Sequence, residues 1–317
     1  MTQLLLSARE FETPSQSTQA FLVSLQGLSV RDRKHLILED LWLDLPAGQT
    51  TALLGPNGAG KSTLMHTLMG LIPPSAGQVS LFGHDITTQG IEARKRTFLI
   101  SDSIGLMETF TALEHFDYGQ DVRPTWDQSR ALEVAKQFGL PLHQPARKLS
   151  KGQRMGLRAA FAFGAQPELL LLDEPTNGLD PENRSKFLSL MVDFVAEGGT
   201  VLIATHILSE IETIADRLVI MKRGTLLMHS EMEDLRQHRN LLHINFDREL
   251  AEHEQVRLRN LPGVYKTTPR GRSLTLHVRG EVSLLCQMVE QEFPVLNLHI
   301  QPLTLEQIYS EAMGGHL

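Results

Sequence analysis

The feature that most narrows what this chain can fold into is an apolar run at residues 51–54. It ends in Gly55-Pro56-Asn57-Gly58-Ala59-Gly60-Lys61-Ser62 and continues into a stretch carrying Leu64, Met65 and Leu68. The string fits G-x-x-x-x-G-K-[ST] and stands between a strand and a helix, where that spacing has a physical purpose. Glycines let successive backbone N–H groups converge on phosphate oxygens, and the helix start adds the positive end of its dipole. Lys61 is placed to reach the β and γ phosphates, the Ser62 hydroxyl to ligate magnesium, and Thr63 to add a second hydroxyl nearby. The four fixed positions recur by accident in about one chain in a hundred of this length, and the strand and helix flanks make a plain glycine turn rarer still.

The rest of the pattern calls for an α/β architecture. Leu41, Leu43 and Leu45 alternate with Trp42 and Asp44, as a half-buried strand requires, which makes Trp42 a surface or edge side chain. Short apolar strands are expected at 98–100, 169–172, 200–204 and 218–221, with helical stretches between most of them, so the core sheet should be largely parallel. Composition shifts near residues 237–240. Beyond it, strands at 241–246, 264–267, 274–278 and 295–300 and helices around 249–258 and from Glu281 read as a small α+β unit of ferredoxin-like order. The expected organisation is a tail at 1–20, a nucleotide-binding unit at 21–238 with a helical subdomain at about 103–165, and an accessory domain at 239–317.

Charge and apolar patterning exclude several classes. A net charge of −7 and a pI near 6.0 argue against a broad phosphate-neutralising face, so no nucleic acid is expected as a partner. The single Cys286 has no intramolecular disulfide mate and reads as an inert thiol on an apolar helix face. Residues 1–20 carry no basic lead before Leu4-Leu5-Leu6, so a signal peptide is not expected. No window approaches the roughly 18 uninterrupted apolar residues of a membrane span, and a cytoplasmic location is expected.

A second phosphate-site element is the apolar run at 169–172 followed by Asp173 and Glu174, two carboxylates at the carboxyl end of a buried strand. Asp173 suits magnesium, and Glu174 suits a general base toward an attacking water. Upstream, Leu149-Ser150-Lys151-Gly152-Gln153 opens a helical stretch; Gly178-Leu179-Asp180 follows the acidic pair, and Thr205-His206 follows the strand at 200–204. These blocks, in this order, resemble the ATP-binding cassette (ABC) family over residues 21–236. The resemblance implies a P-loop NTPase cassette with a largely parallel core sheet, an antiparallel β part and a helical subdomain, binding and hydrolysing ATP with Mg2+. It also implies a dimer in which Ser150, Lys151, Gly152 and Gln153 of one copy cap the γ-phosphate held by the other, with Asp180 in the D-loop and His206 as the switch histidine. Lys151 stands where the commonest form of the signature has glycine. By the same resemblance the partners are an integral membrane permease subunit and a second cassette, identical or not, with the chain on the cytoplasmic face of the membrane. A soluble cassette ATPase acting on ribosomes or nucleic acid is the alternative.

Two departures stand out. The family's glutamine after the strand at 98–100 is missing, and counting back from Phe110-Thr111-Ala112-Leu113-Glu114-His115 places Asp102 there as an oxygen ligand for the metal. No aromatic residue offers a stacking plane for adenine in Arg31-Asp32-Arg33-Lys34-His35, where an arginine plane or His35 would have to substitute. Pro124-Thr125-Trp126-Asp127 and Leu303-Thr304-Leu305-Glu306-Gln307-Ile308-Tyr309 resemble a bacterial exporter-type branch with a carboxyl-terminal appendage.

Overall fold

The computed structural model describes residues 21–33, 35–101 and 105–314. The chain begins with an antiparallel hairpin, β1 (Val23–Asp32) and β2 (His35–Leu45), which joins β4 (Ala76–Leu81) and β5 (His84–Asp85) in a sheet of order β2-β1-β4-β5. Along β2 the period of two buries Leu41, Leu43 and Leu45 and leaves Trp42 exposed, its indole N–H donating to Asp40 Oδ1 at 2.9 Å.

The central sheet has six strands: β3 (Thr50–Leu54), β6 (Thr97–Ser101), β7 (Leu169–Asp173), β8 (Thr200–Ala204), β9 (Arg217–Lys222) and β10 (Thr225–Glu231). Their order is β10-β9-β3-β8-β7-β6; every neighbouring pair is parallel except β10 with β9. All five residues of β3, β7 and β8 are buried, which explains why these strands read as unbroken apolar runs rather than as alternation. Strand order reverses around β3, so the carboxyl ends of β3, β7 and β8 open on one edge, the edge where ligands collect in such sheets.

Between β6 and β7 lie α3 (Ala112–Val122), α4 (Gln128–Gln137) and α5 (Lys151–Gly164). Their starts are set by side-chain caps: Thr111 with Glu114, Asp127, and Ser150 with Gln153. Trp126 wedges into a notch that only glycine leaves open, since a Cβ at Gly119 or Gly164 would come within 2.4 or 2.6 Å of its ring. Phe161 and Phe116 flank the indole at centroid distances of 5.1 and 6.1 Å, so Trp126 is a packing residue of the helical subdomain.

The carboxyl-terminal unit runs β11 (Arg239–Phe246), α9 (Glu252–Arg259), β12 (Val264–Arg270), β13 (Ser273–Arg279), α10 (Ser283–Glu292), β14 (Val295–Pro302). Its antiparallel sheet has the order β12-β13-β11-β14, the ferredoxin-like arrangement. Leu242, Ile244, Phe246, Leu258, Leu276 and Val289 form its own core. The α9 helix starts three residues later than its charge pattern suggests, because Glu254 accepts from the Ala251 N–H at 2.9 Å and caps the helix there. Cys286 is half-buried against this core, and burial pushes its thiol above the usual range.

The last helix, α11 (Leu305–Gly314), leaves the accessory sheet. Its Leu305, Ile308 and Ala312 join the apolar cluster that contains Ile211, Ile214 and Ile220 of the nucleotide-binding unit, and Lys222 Nζ donates to the Met313 carbonyl at 2.5 Å. An amphipathic helix needs an apolar partner, and here the partner is the central sheet rather than the small domain preceding it. No helix among the described residues is long and apolar enough to cross a membrane.

Candidate functional site

The loop after β3 enters α1 (Lys61–Leu68) through Gly60, whose φ of 104° is a conformation that L side chains rarely adopt. A Cβ there would also lie 2.6 Å from Leu38 Cδ2. The first turn of α1 carries no acidic residue of its own, which leaves the positive end of its dipole available to an anion. Gly55, Ala59 and Gly60 are buried while Pro56, Asn57, Gly58 and Ser62 are exposed and Thr63 is half-buried. Lys61, only 6% exposed, donates to the Gly55 carbonyl at 2.7 Å and stands 3.7 Å from Glu174 Oε1.

Across the edge, β7 ends in Asp173. Its Oδ1 is buried without a hydrogen-bond partner, an arrangement that costs free energy unless something else satisfies the oxygen. An orphaned carboxylate oxygen together with the Ser62 hydroxyl is the hard oxygen set that magnesium takes, so the residues present fit that ion. Glu174 follows at φ 50°, a left-handed conformation rare for a non-glycine residue and a feature of sites that aim a side chain. Its N–H donates to the Ala204 carbonyl at 2.8 Å. One carboxylate oxygen meets His206 Nδ1 at 2.7 Å and the other faces Lys61. Lys61, Glu174 and His206, drawn from three separate segments of the chain, thus form one contact chain.

Ser150, Lys151, Gly152, Gln153 and Asp180 form a second group. Ser150 and Gln153 cap α5 reciprocally, with Ser150 Oγ accepting from Gln153 N at 3.2 Å and Gln153 Oε1 from Ser150 N at 3.0 Å. Gly152 lets Asn183 pack closely, because a Cβ there would sit 2.4 Å from Asn183 Nδ2 and displace that side chain. Asn183 in turn donates through Nδ2 to Asp180 Oδ2 at 2.7 Å, and Asp180 caps α6 (Pro181–Ala196). These bonds hold the Asp180 carboxyl below the usual range, the Asn183 backbone N–H contributing most. Lys151 is exposed, yet its ammonium lies over Gly178, so its charge covers the loop after Glu174. Asp102 lies outside the described residues. His35 is exposed at the start of β2.

Sequence reasoning missed Glu210, Thr176, Arg184 and Asn183. Glu210, on α7 (Leu208–Ile214), is 3% exposed; it accepts from Thr176 Oγ1 at 2.8 Å and pairs with Arg184 Nε at 3.2 Å. The available signal is helical period: Ile207, Ile211 and Ile214 mark the inner face of α7, and position 210 falls on it.

Residues 38–177 match the family described as ABC transporter. Over 219 residues the chain is 33% identical to Nod factor export ATP-binding protein I of Rhizobium leguminosarum bv. viciae, an alignment covering 67% of this chain and 70% of that protein. The chain belongs to the ABC transporter family. It is an ATP-binding, ATP-hydrolysing cassette, and the glycine-rich loop and the acidic strand end described above fall within the matched residues. A solved structure of the ATP-binding subunit of an ABC transporter superposes with a TM-score of 0.63 at 29% identity, covering 68% of this chain and 92% of that one. ABC transporter A family member 5 of Dictyostelium discoideum is 34% identical over 202 residues; the alignment spans 62% of this chain but 12% of that longer protein.

Proposed function

We propose that this cassette works as one half of a dimer that clasps two ATP molecules and drives a separate membrane-spanning subunit in export. The observation that carries the reading is the placement of Glu174 between His206 and Lys61, at 2.7 and 3.7 Å. A carboxylate held this way is aimed by its backbone and oriented by two neighbours, as a general base toward the attacking water must be. With Nδ1 engaged by Glu174, the remaining ring nitrogen of His206 faces the γ-phosphate and registers its departure. Lys61 leaves the Gly55 carbonyl to bind the β and γ phosphates, while the Gly58–Gly60 N–H groups and the α1 terminus cradle the rest.

Asp173 and Ser62 would hold magnesium, with Asp102 proposed from its sequence position as a third oxygen ligand, and the ion would spread the charge that develops on the phosphates. Ser150, Lys151, Gly152 and Gln153, at the start of α5, present N–H groups and a hydroxyl to the nucleotide of the second copy, which makes ATP the adhesive of the dimer. An export direction is supported by the rhizobial relative, a Nod factor export ATP-binding protein, and a site of action on the cytoplasmic face of a membrane by the transporter family itself.

Glu174→Gln tests the reading. Removing the base while keeping the shape lowers hydrolysis by about 10²- to 10⁴-fold. ATP and magnesium then hold the variant as a dimer in size-exclusion chromatography. A variant that stays monomeric at saturating ATP, or that turns over at the parent rate, overturns it.

A further inference from the structure

The buried Glu210 lies outside the catalytic chain Lys61–Glu174–His206 but touches the backbone segments on both sides of it. Three ties join the loop after β7 to the loop after β8: Glu174 N–H to the Ala204 carbonyl at 2.8 Å, His206 Nδ1 to Glu174 at 2.7 Å, and Thr176 Oγ1 to Glu210 Oε2 at 2.8 Å. The last is the most protected. Thr176 and Thr205 are 1% and 0% exposed, and the Thr205 hydroxyl accepts from Ile207 N at 3.1 Å while standing 3.5 Å from the same Glu210 oxygen. Arg184, one turn into α6, approaches the other carboxylate oxygen at 3.2 Å. Burial, the largest influence, pushes the Glu210 carboxyl upward, and the Thr176 and Arg184 contacts oppose that push. A carboxylate this deep is costly to keep unless its partners hold it, so its retention between two phosphate-site loops calls for a role beyond packing.

The partners form a continuous route. Thr205 precedes His206; Thr176 and Arg184 flank Asp180; Asp180 fixes Asn183, which packs on Gly152 of the signature segment. We infer that Glu210 is a positioning residue that locks the His206 loop to the Asp180 loop, so that the histidine answering one nucleotide sets the surface this copy presents to the other. The inference rests on the two-site dimer proposed above. It assigns Glu210 no contact with ATP: its action passes through Thr176, Thr205 and Arg184.

Steady-state ATPase measurements on the full chain test it, with Glu210→Ala, Glu210→Gln and Thr176→Val compared singly and Glu210→Ala combined with Thr176→Val. Glutamine can still accept from Thr176 and alanine cannot. The expected result is a fall in kcat of about tenfold or more for Glu210→Ala with KM for ATP within about twofold, loss of cooperativity in ATP, substantial recovery in Glu210→Gln, and no further loss in the double variant. Thr176→Val reaches the same contact from the other side and keeps the test decisive if Glu210→Ala does not fold. Parent-like kcat and cooperativity in either Glu210→Ala or Thr176→Val overturns the inference, as does a loss in the double variant equal to the sum of the singles. A parent protein that is monomeric and non-cooperative with ATP fails the dimer reading instead, which separates the two failures.

Discussion

The nucleotide edge of the central sheet and the open face of the accessory sheet are both rich in polar side chains, but they hold them in opposite ways. At the nucleotide edge key polar groups are buried: Lys61, Asp173 and Glu210 are 6, 9 and 3% exposed, Lys61 and Glu210 are tied by neighbours, and Glu174 sits at φ 50°. On the accessory sheet the side away from the helices carries His243, Asn245, Thr275, Asn297 and His299. They pair across strands in the ordinary manner, His243 with Thr275 at 3.0 Å and Asn245 with Asn297 at 2.7 Å, and the β11–β13 register runs without a shift. Buried polar groups and backbone strain mark a surface organised for chemistry, whereas solvated cross-strand pairs mark one organised for solubility and register. Among the described residues, the accessory domain buries charge at its junction with α11. There Glu311, 4% exposed, accepts from Tyr265 Oη at 2.7 Å and meets His277 Nδ1 at 2.5 Å, beside the buried Arg239.

The comparison predicts that a single substitution in the tied edge abolishes function and leaves the fold, while the junction does the reverse. Lys61→Ala removes the cation that spans the Gly55 carbonyl and Glu174 and should lower ATP hydrolysis by at least about a hundredfold, with the melting temperature within a few degrees of the parent. Hydrolysis above a tenth of the parent rate would break the contrast at its strongest point.

Glu311→Ala should act on stability first. It strips the partner from Tyr265 and His277 and leaves Arg239, whose Nη1 already lacks a hydrogen bond, without a nearby negative charge. Breaking a buried charged contact costs about 3 kcal/mol or more. Denaturant titration should show that loss, and kcat per folded molecule should stay near the parent value.

How much of this was legible in the sequence follows the same division. The strand–glycine–helix run at 51–68 and the strand ending in Asp173-Glu174 carry local signals, because phosphate binding fixes residue types at fixed spacing. The ferredoxin-like order was legible from alternating strands and intervening helices. The Glu210 tie was not, since it joins residues 34 positions apart through a buried contact that no local spacing encodes. The departure of α11 was hidden for a related reason: amphipathic period shows that Leu305, Ile308 and Ala312 share a face, but not which core that face meets. Lys151 shows the same limit, because an exposed lysine in a variant signature gives no hint that its ammonium lies over Gly178.

The smallest expected effect sharpens the comparison through pH. Burial, the largest influence, holds the His277 imidazole below its ordinary value, with Glu311 acting against that shift. The unfolded chain therefore binds the proton more readily than the folded one, so this group favours folding above the ordinary histidine range and that contribution fades as pH falls through the window beneath about 6.5. His115 and His229 are depressed by burial in the same direction, so the slope belongs to the parent protein as a sum, and His277→Gln isolates the junction's share. Thermal melts from pH 7.5 to 5.5 should show a shallower fall in His277→Gln than in the parent. Equal slopes would mean that the junction does not depend on a neutral imidazole, and that the Glu311 contact with Tyr265 alone fastens the accessory domain to α11.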